Sequence, residues 1–397
     1  MPEQLRLAVY TDYEYCSDGV RRYGQRAFVV YLEALREHVA KLVLVGRFDP
    51  RPGSSHYPLH EDTELVGLPH YESLGRPWLV ARSLAVSVVR FWRLLDDVDT
   101  VWVLGPYPHS VLLALLTMIR RRRLVLGVRQ DMPVYVRSRR PEQRWMHLSA
   151  DLLEGIWRLL ARRYPVVVVG PELERKYRDA GARNVLATTV SLISEHDLAL
   201  AADAVAARDY SGELTVLTVG RLDAEKNPLL LADIMARLAQ GERRWRLLVC
   251  GDGPLRAQLQ ARVNELGVGD SVELLGYVPV DGGLLDLYRR SHVFLHVSWT
   301  EGFPQVLVEA FATGLPTVAT AVGGVPAAVG DAALLIEPDD ADAAAAALER
   351  IAADARLRGR LIEAGLQRAG EGTLETSSRR LAEFLAQAPL ARTRRST

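Results

Sequence analysis

The chain has 397 residues, 49% of them apolar, and 49 Lys and Arg balance 49 Asp and Glu. That length and apolar content exclude a disordered chain and imply two cored domains rather than one. Two cysteines far apart, Cys16 and Cys250, exclude a disulfide framework; they read as buried thiols in a reducing compartment.

In chain order the first half alternates strand-like and helical patterns. The run LRLAVY is followed by a helix through YGQRAFVVYLEALREHV, KLVLVGR by a helix from about Pro77 to Leu95, TVWVLG by a helix from His109, RLVLGV by a helix over 145–162, and then comes PVVVVG. The second half repeats the rhythm with LTVLTVG, LLLADIMARLAQ, WRLLVCG, LRAQLQARVNELG, VELLGYV, LLDLYRRS and HVFLHVS. Apolar strands separated by helices predict parallel sheets covered on both faces. The expected domains are 1–190 and 191–374, with the unpatterned stretch 188–212 as linker, a helix at about 375–390 returning to the first domain, and a ligand cleft between the two. PDDADAAAAALE (338–349) reads as a capped helix, and the last dozen residues as a frayed end.

The start of the chain shows no basic leader, long apolar core or small-residue cleavage site, which predicts a cytoplasmic protein. No apolar run reaches the roughly 20 uncharged residues of a membrane span. Charge is divided unevenly: residues 1–190 hold 28 Lys and Arg against 21 Asp and Glu, and residues 191–397 hold 21 against 28. The basic half includes Arg120 to Arg123 and the cluster Arg137, Arg139, Arg140 and Arg144. With the helix Trp78–Leu95, these suggest contact with an anionic membrane surface at the inner face, or else solvated helix ends.

Chemistry concentrates in WTEGFPQVLVEAFATGLPTVATAVGGVP (299–326). A strand, a tight turn and a helix with Pro304 in its first turn and Gly314 at its stop put free N–H groups where a diphosphate would sit. Glu301 precedes the helix and Glu309 lies inside it, roughly 12 Å apart at a helical rise. That exceeds the roughly 5 to 10 Å of paired-carboxylate chemistry on one bond, so the two read as hydroxyl-binding groups at opposite ends of an extended ligand. The glycine pair in AVGGVP allows close backbone approach to a ligand. In TVGRLDAEKNPLLL (218–231), Gly220, Arg221 and Lys226 occupy a strand-to-helix loop suited to clamping a diphosphate. Lysine is scarce, with Lys41, Lys176 and Lys226 the full set, so its use at 226 points to a compact ammonium. CGDGP, with Gly253, and GYVP, with Val278, end two further strands at the same edge.

The ordered set GRLDAEKNP, CGDGP, LLGYVP and EGFPQVLVEAFATGLPTVATAVGGVP resembles the retaining, nucleotide-sugar-dependent glycosyltransferases of family 4. The resemblance covers roughly residues 215–338 and implies the GT-B fold, two Rossmann-like doubly wound domains facing each other across a cleft. It implies that Arg221 and Lys226 neutralise the donor diphosphate, with Glu301, Arg221 and Lys226 as the catalytic set. Glu309 would hold the ribose hydroxyls and Glu301 the donor sugar. Gly302, Phe303, Pro304, Gln305 and Val306 would offer the sugar and phosphate their main chain, and Val278 would border the base. The acceptor-binding first domain departs from the family pattern. Its Gly-rich turn is replaced by YCSDGVRRYG, where the resemblance implies that Asp18 and Gly19 would be the partners of the donor phosphates. Gln130 and Asp131 stand where relatives carry His-Asp, and His109 is either a substitute on the neighbouring strand end or a packed or solvent-facing histidine. TTVSLISEHD replaces the usual Asn-Gly-Val-Asp.

The expectation is a hexosyltransferase using a UDP- or GDP-linked sugar, with a carbohydrate, lipid-linked or small-molecule acceptor in envelope polysaccharide or glycolipid synthesis. No cofactor, metal or nucleic acid is expected. The Asp-x-Asp runs Asp97/Asp99 and Asp340/Asp342 precede a strand and cap a helix. A GT-B phosphorylase and a non-enzymatic two-domain sugar-binding protein stay open as alternatives. A nicotinamide dehydrogenase lacks the third glycine of its fingerprint in CGDGPL.

Overall fold

The computed structural model describes residues 4–69, 77–139, 141–302 and 304–389. Arg140, Phe303 and the terminal run 390–397, read above as part of a frayed end, lie outside the described residues. The chain divides into two compact units, Met1–Val190 with Glu375–Thr397, and Ser191–Leu374.

The first unit is built on a nine-stranded sheet of β1 (Arg6–Ser17), β2 (Arg22–Gly24), β3 (Lys41–Pro52), β4 (Tyr57–Pro58), β5 (Glu64–Pro69), β6 (Thr100–Gly105), β7 (Arg123–Val128), β8 (Val166–Val169) and β9 (Val185–Thr188). Its parallel body runs β5-β3-β1-β6-β7-β8-β9. All six residues of β6 are buried, as a central strand covered on both faces requires. Prolines open the helices Pro77–Leu94, Pro108–Ile119 and Pro171–Asp179, where a missing N–H costs nothing.

The single helix expected over residues 23–39 is corrected. β1 overruns the sheet edge and folds back on β2 as a hairpin, pairing Cys16 with Tyr23, so the α-helix begins only at Phe28, runs to Ala34 and continues as a 3₁₀ helix over Leu35–His38. Tertiary pairing overrides helical propensity there. The helix Leu374–Ala386 contributes its residues from Glu375 onward to this unit. It buries Ser377, Ser378, Leu381 and Leu385, accepts a 3.3 Å hydrogen bond from the Tyr31 hydroxyl at the Ser377 carbonyl, and accepts Arg123 at the Ala386 carbonyl, 2.8 Å.

The second unit carries a six-stranded parallel sheet of β10 (Leu214–Val219), β11 (Trp245–Cys250), β12 (Val272–Gly276), β13 (Val293–His296), β14 (Thr317–Thr320) and β15 (Ala333–Ile336). Their order is β12-β11-β10-β13-β14-β15. The chain therefore winds outward one way from β10 and then the other way from β13. In an open α/β sheet the crevice at the carboxyl ends of that central pair is where ligands bind. The stretch 188–212 is not the plain linker of the sequence reading. Ser194 accepts from the Asp197 amide at 3.1 Å while Asp197 accepts from the Ser194 amide at 3.1 Å, and this capping box starts the helix Glu195–Ala199, followed by Ala201–Ala207. Asp340 caps the alanine-rich helix Ala341–Ala353 through the Ala343 amide, 2.8 Å.

Candidate functional site

The carboxyl edge of the second sheet is assembled from turns that touch through their backbones. The Gly220 amide donates to the Cys250 carbonyl at 2.9 Å, that of Gly251 to Gly276 at 2.7 Å, and that of Leu222 to Asp252 at 3.0 Å. A Cβ on Gly253 would lie 2.6 Å from the Leu222 carbonyl oxygen, so that glycine is fixed by the neighbouring turn. The pair Gly323 and Gly324 answers the same demand: a Cβ on either would lie within 2.0 Å of the Glu301 or Gly302 carbonyl oxygen, and the Gly324 amide donates to Glu301 at 3.0 Å. These glycines admit the Glu301 loop rather than a ligand, which corrects the sequence reading of AVGGVP. Gly220 and Gly302 themselves face open space.

Lys226 closes a single 3₁₀ turn, Ala224–Lys226, before Asn227 in the left-handed region at φ 47°. Its loop is tied to the one after β13 by the Trp299 amide, which donates to the Glu225 carbonyl at 2.9 Å. One oxygen, Glu301 Oε1, collects three partners: Lys226 Nζ at 2.5 Å, His296 Nε2 at 3.0 Å and Ser298 Oγ at 3.1 Å. The Ser298 carbonyl is held in turn by the Thr320 hydroxyl at 2.8 Å. Burial opposes the charge on Glu301, but the His296 hydrogen bond and the Lys226 ammonium outweigh it and hold the carboxyl at about 2. Nδ1 of His296 is buried and has no hydrogen-bond partner among the described residues. Because the ionised Glu301 carboxylate can only accept, His296 Nε2 is the donor in that contact.

Lys226 and Glu301, read from separate motifs, are thus in direct contact. Arg221 is not part of that contact: half exposed, it pairs with Asp223 and Glu225 of its own loop. The helix Gln305–Ala312 begins after Pro304, which is its extended N-cap rather than a residue of its first turn, and it anchors itself by burying Leu307 and Phe311. Gln305 and Val306 stand at that start with no capping side chain. Glu309 faces inward, 7% exposed, with Oε2 accepting from the Tyr288 hydroxyl at 2.8 Å, and burial raises its pKa. Val278 packs partly buried beyond β12. His296 and Ser298 went unread in the sequence. They are two apart at a strand end and so share a face, which places both beside the Glu301 loop that follows.

The residues picked in the first unit go elsewhere. Asp18 and Gly19 (φ 96°) form the tip of the β1–β2 hairpin, where the Asp18 carboxylate accepts from the Val20 and Arg21 amides at 2.8 and 2.7 Å and from the Tyr23 hydroxyl at 2.7 Å. Those bonds bring its pKa to about 2. His109 is buried at the start of its helix, where burial and then Arg47 lower its pKa to about 4, so it is neutral at pH 7. Gln130 is exposed. Asp131 caps the helix Met132–Arg139 and pairs with Lys176 at 2.8 Å, and Lys176 also lies 3.0 Å from the buried Glu154. Asp99 pairs with Arg6 and Asp342 with Arg237. Among the described residues no group of three or more His, Cys, Asp or Glu is placed to hold a metal ion.

Residues 204–368 match the family model described as glycosyl transferases group 1. The gpi3 subunit of phosphatidylinositol N-acetylglucosaminyltransferase from Schizosaccharomyces pombe is 37% identical over 121 residues, 30% of this chain and 26% of that protein. Mannosylfructose-phosphate synthase of Agrobacterium fabrum is 35% identical over 164 residues, 39% and 36% of the two chains. The chain thus spans about a quarter to a third of the length of these curated relatives. Among solved structures, sucrose-phosphate synthase from Thermosynechococcus elongatus superposes with a TM-score of 0.72 over 97% of this chain and 99% of that one, at 21% identity. Anabaena HepE in complex with UDP-glucose superposes at 0.65 over 96% and 100%, at 17% identity. The shared fold is the GT-B fold of two parallel-sheet domains. The segment that matches the glycosyl transferases group 1 model is the one that folds into the six-stranded sheet and brings Lys226 to Glu301.

Proposed function

We propose that this protein is a retaining hexosyltransferase of the family 4 kind, moving a sugar from a UDP- or GDP-linked donor to an acceptor hydroxyl. The observation that carries the reading is the Lys226–Glu301 contact at the carboxyl ends of β10 and β13, where a doubly wound sheet binds its ligand. As the glycosidic bond breaks, the departing diphosphate gains negative charge. Lys226, Arg221 and the amides at the start of the helix Gln305–Ala312 supply fixed positive charge that favours this state over the ground state. Glu301 lies at the donor sugar and Glu309 serves the nucleoside end. HepE was solved with UDP-glucose, which supports a nucleotide-sugar donor of that class. Charge neutralisation by side chains needs neither cofactor nor metal.

The acceptor belongs to polysaccharide or glycolipid synthesis, and the protein works from the cytoplasm at an anionic membrane surface. Among the described residues no helix is long and apolar enough to cross a membrane. The helix Arg144–Ala161 nevertheless exposes an apolar stripe at Trp145 (56%), Leu148 (72%), Leu152 (66%) and Leu159 (59%). This spacing follows one helical face, and it supports surface docking through this helix beside Pro77–Leu94, which exposes Val86 and Val89.

Donor hydrolysis and transfer measured with a panel of UDP- and GDP-sugars in excess chelator, beside calorimetry of the free nucleoside diphosphate, test the proposal. Activity should persist in chelator, and Lys226→Ala should weaken diphosphate binding by about 1.5 to 3 kcal/mol. Turnover that required inorganic phosphate and no nucleotide would replace this reading with a phosphorylase.

A further inference from the structure

We propose that the carboxyl edge of the first sheet holds a phosphoryl group carried by the acceptor, gripped by Arg129. Arg129 is the first residue beyond β7. Its guanidinium carbon lies 3.9 Å from the centre of the Phe28 ring and 5.6 Å from that of Tyr13. Its Nε is buried and has no hydrogen-bond partner among the described residues.

The nearby acids are committed elsewhere. Asp131, two residues on, is paired with Lys176 at 2.8 Å. Asp12, beyond the central part of β1, lies 3.6 Å from Arg47 Nε, and its carbonyl accepts from Arg47 Nη2 at 3.0 Å. At the Tyr107 hydroxyl beside β6 the field of Asp12 is felt first, and those of Arg47 and Arg26 oppose it. Burial lowers the Arg129 pKa to about 10, so the group stays charged at neutral pH. A guanidinium presents five donors in a planar fork that matches phosphate oxygens in pairs. Stacking on an aromatic ring uses its face and leaves that fork edge for a ligand. The two rings pre-order it, which lowers the entropy cost of the contact.

This edge follows the order β5-β3-β1-β6-β7-β8-β9, reversing direction between β1 and β6, so it is the ligand-binding edge of its own sheet. The inference rests on the proposed transfer reaction and deepens it by naming the acceptor as an anion. Its source is either a free sugar phosphate or a phospholipid headgroup.

Calorimetry on the full chain, without donor, separates this site from the diphosphate site. Hexose 6-phosphate should bind at least tenfold more tightly than the same hexose. Arg129→Met should remove that preference and leave UDP affinity unchanged, while Lys226→Ala should do the reverse. Wild-type protein that does not distinguish hexose 6-phosphate from hexose, and does not bind phosphatidylglycerol vesicles in preference to phosphatidylcholine vesicles, overturns the proposal irrespective of how the variants fold. Equal phosphate affinity in a folded Arg129→Met protein overturns it too. An Arg129-dependent preference for hexose 6-phosphate supports a soluble acceptor, and an Arg129-dependent preference for phosphatidylglycerol a lipid one. Because no donor is present, loss of this site and failure of the transfer reading are separate outcomes.

Discussion

Glu301 and Glu309 respond to acid with opposite sign. The folded-state pKa of Glu301 falls from 4.5 to about 2, so its contribution is complete above the unfolded value and is lost as pH drops through that interval. A shift of that size corresponds to about 3 kcal/mol. Glu309 is raised by burial, so its charged form is a penalty that disappears on acidification. Denaturant unfolding at pH 7 and pH 3 should therefore show Glu301→Gln with less acid sensitivity than the wild type, and Glu309→Gln with more. The same variants divide the chemistry: Glu309→Gln should weaken nucleoside diphosphate binding, whereas Glu301→Gln should depress turnover far more than nucleotide affinity. Equal loss of nucleotide affinity in both would sink that division.

At the scale of elements, Arg208 carries two helix ends at once. It donates to the carbonyls of Tyr288 and Arg289, where the helix Leu285–Arg290 ends, and to those of Thr313 and Gly314, where Gln305–Ala312 ends. Burial lowers its pKa to about 10, so it meets those negative dipole ends as a cation at neutral pH. Hydrogen bonds to a charged group contribute about 1.5 to 3 kcal/mol each, and carbonyls left buried without a donor cost more. Arg208→Ala should lower unfolding free energy by about 3 kcal/mol or more and loosen the helix that follows Glu301. A loss below about 1 kcal/mol in denaturant titration would show that water replaces the guanidinium there.

For the whole molecule the uneven charge and the exposed stripe of Arg144–Ala161 predict reversible membrane binding. Basic side chains near an anionic leaflet contribute about 1 kcal/mol each, and exposed apolar residues add to that on insertion. Anionic vesicles should sediment the protein at low salt and release it at high salt. Leu148→Glu with Leu152→Glu, both at exposed positions, should abolish sedimentation without changing the unfolding midpoint. Sedimentation that survives this pair would remove the stripe from the interface.

The sequence by itself determined the fold class and the positions of its chemistry, because parallel strands buried on both faces must be continuous apolar runs and strand-to-helix turns must carry their glycines. Continuous runs such as TVWVLG and HVFLHVS, and turns such as CGDGP, declare themselves locally. Contacts between residues distant in the chain are decided by packing. The backbone that fills the space beside Gly323 and Gly324 depends on which turns the sheet order brings together, whereas the hairpin tip at Asp18 and the Asp223 and Glu225 partners of Arg221 are local contacts that motif reading passed over. The 2.5 Å contact of Lys226 with Glu301 spans 75 residues of sequence and exists because β13 lies beside β10. The commitment of His296 and Ser298 to that carboxylate is local, five and three residues before it in the same segment.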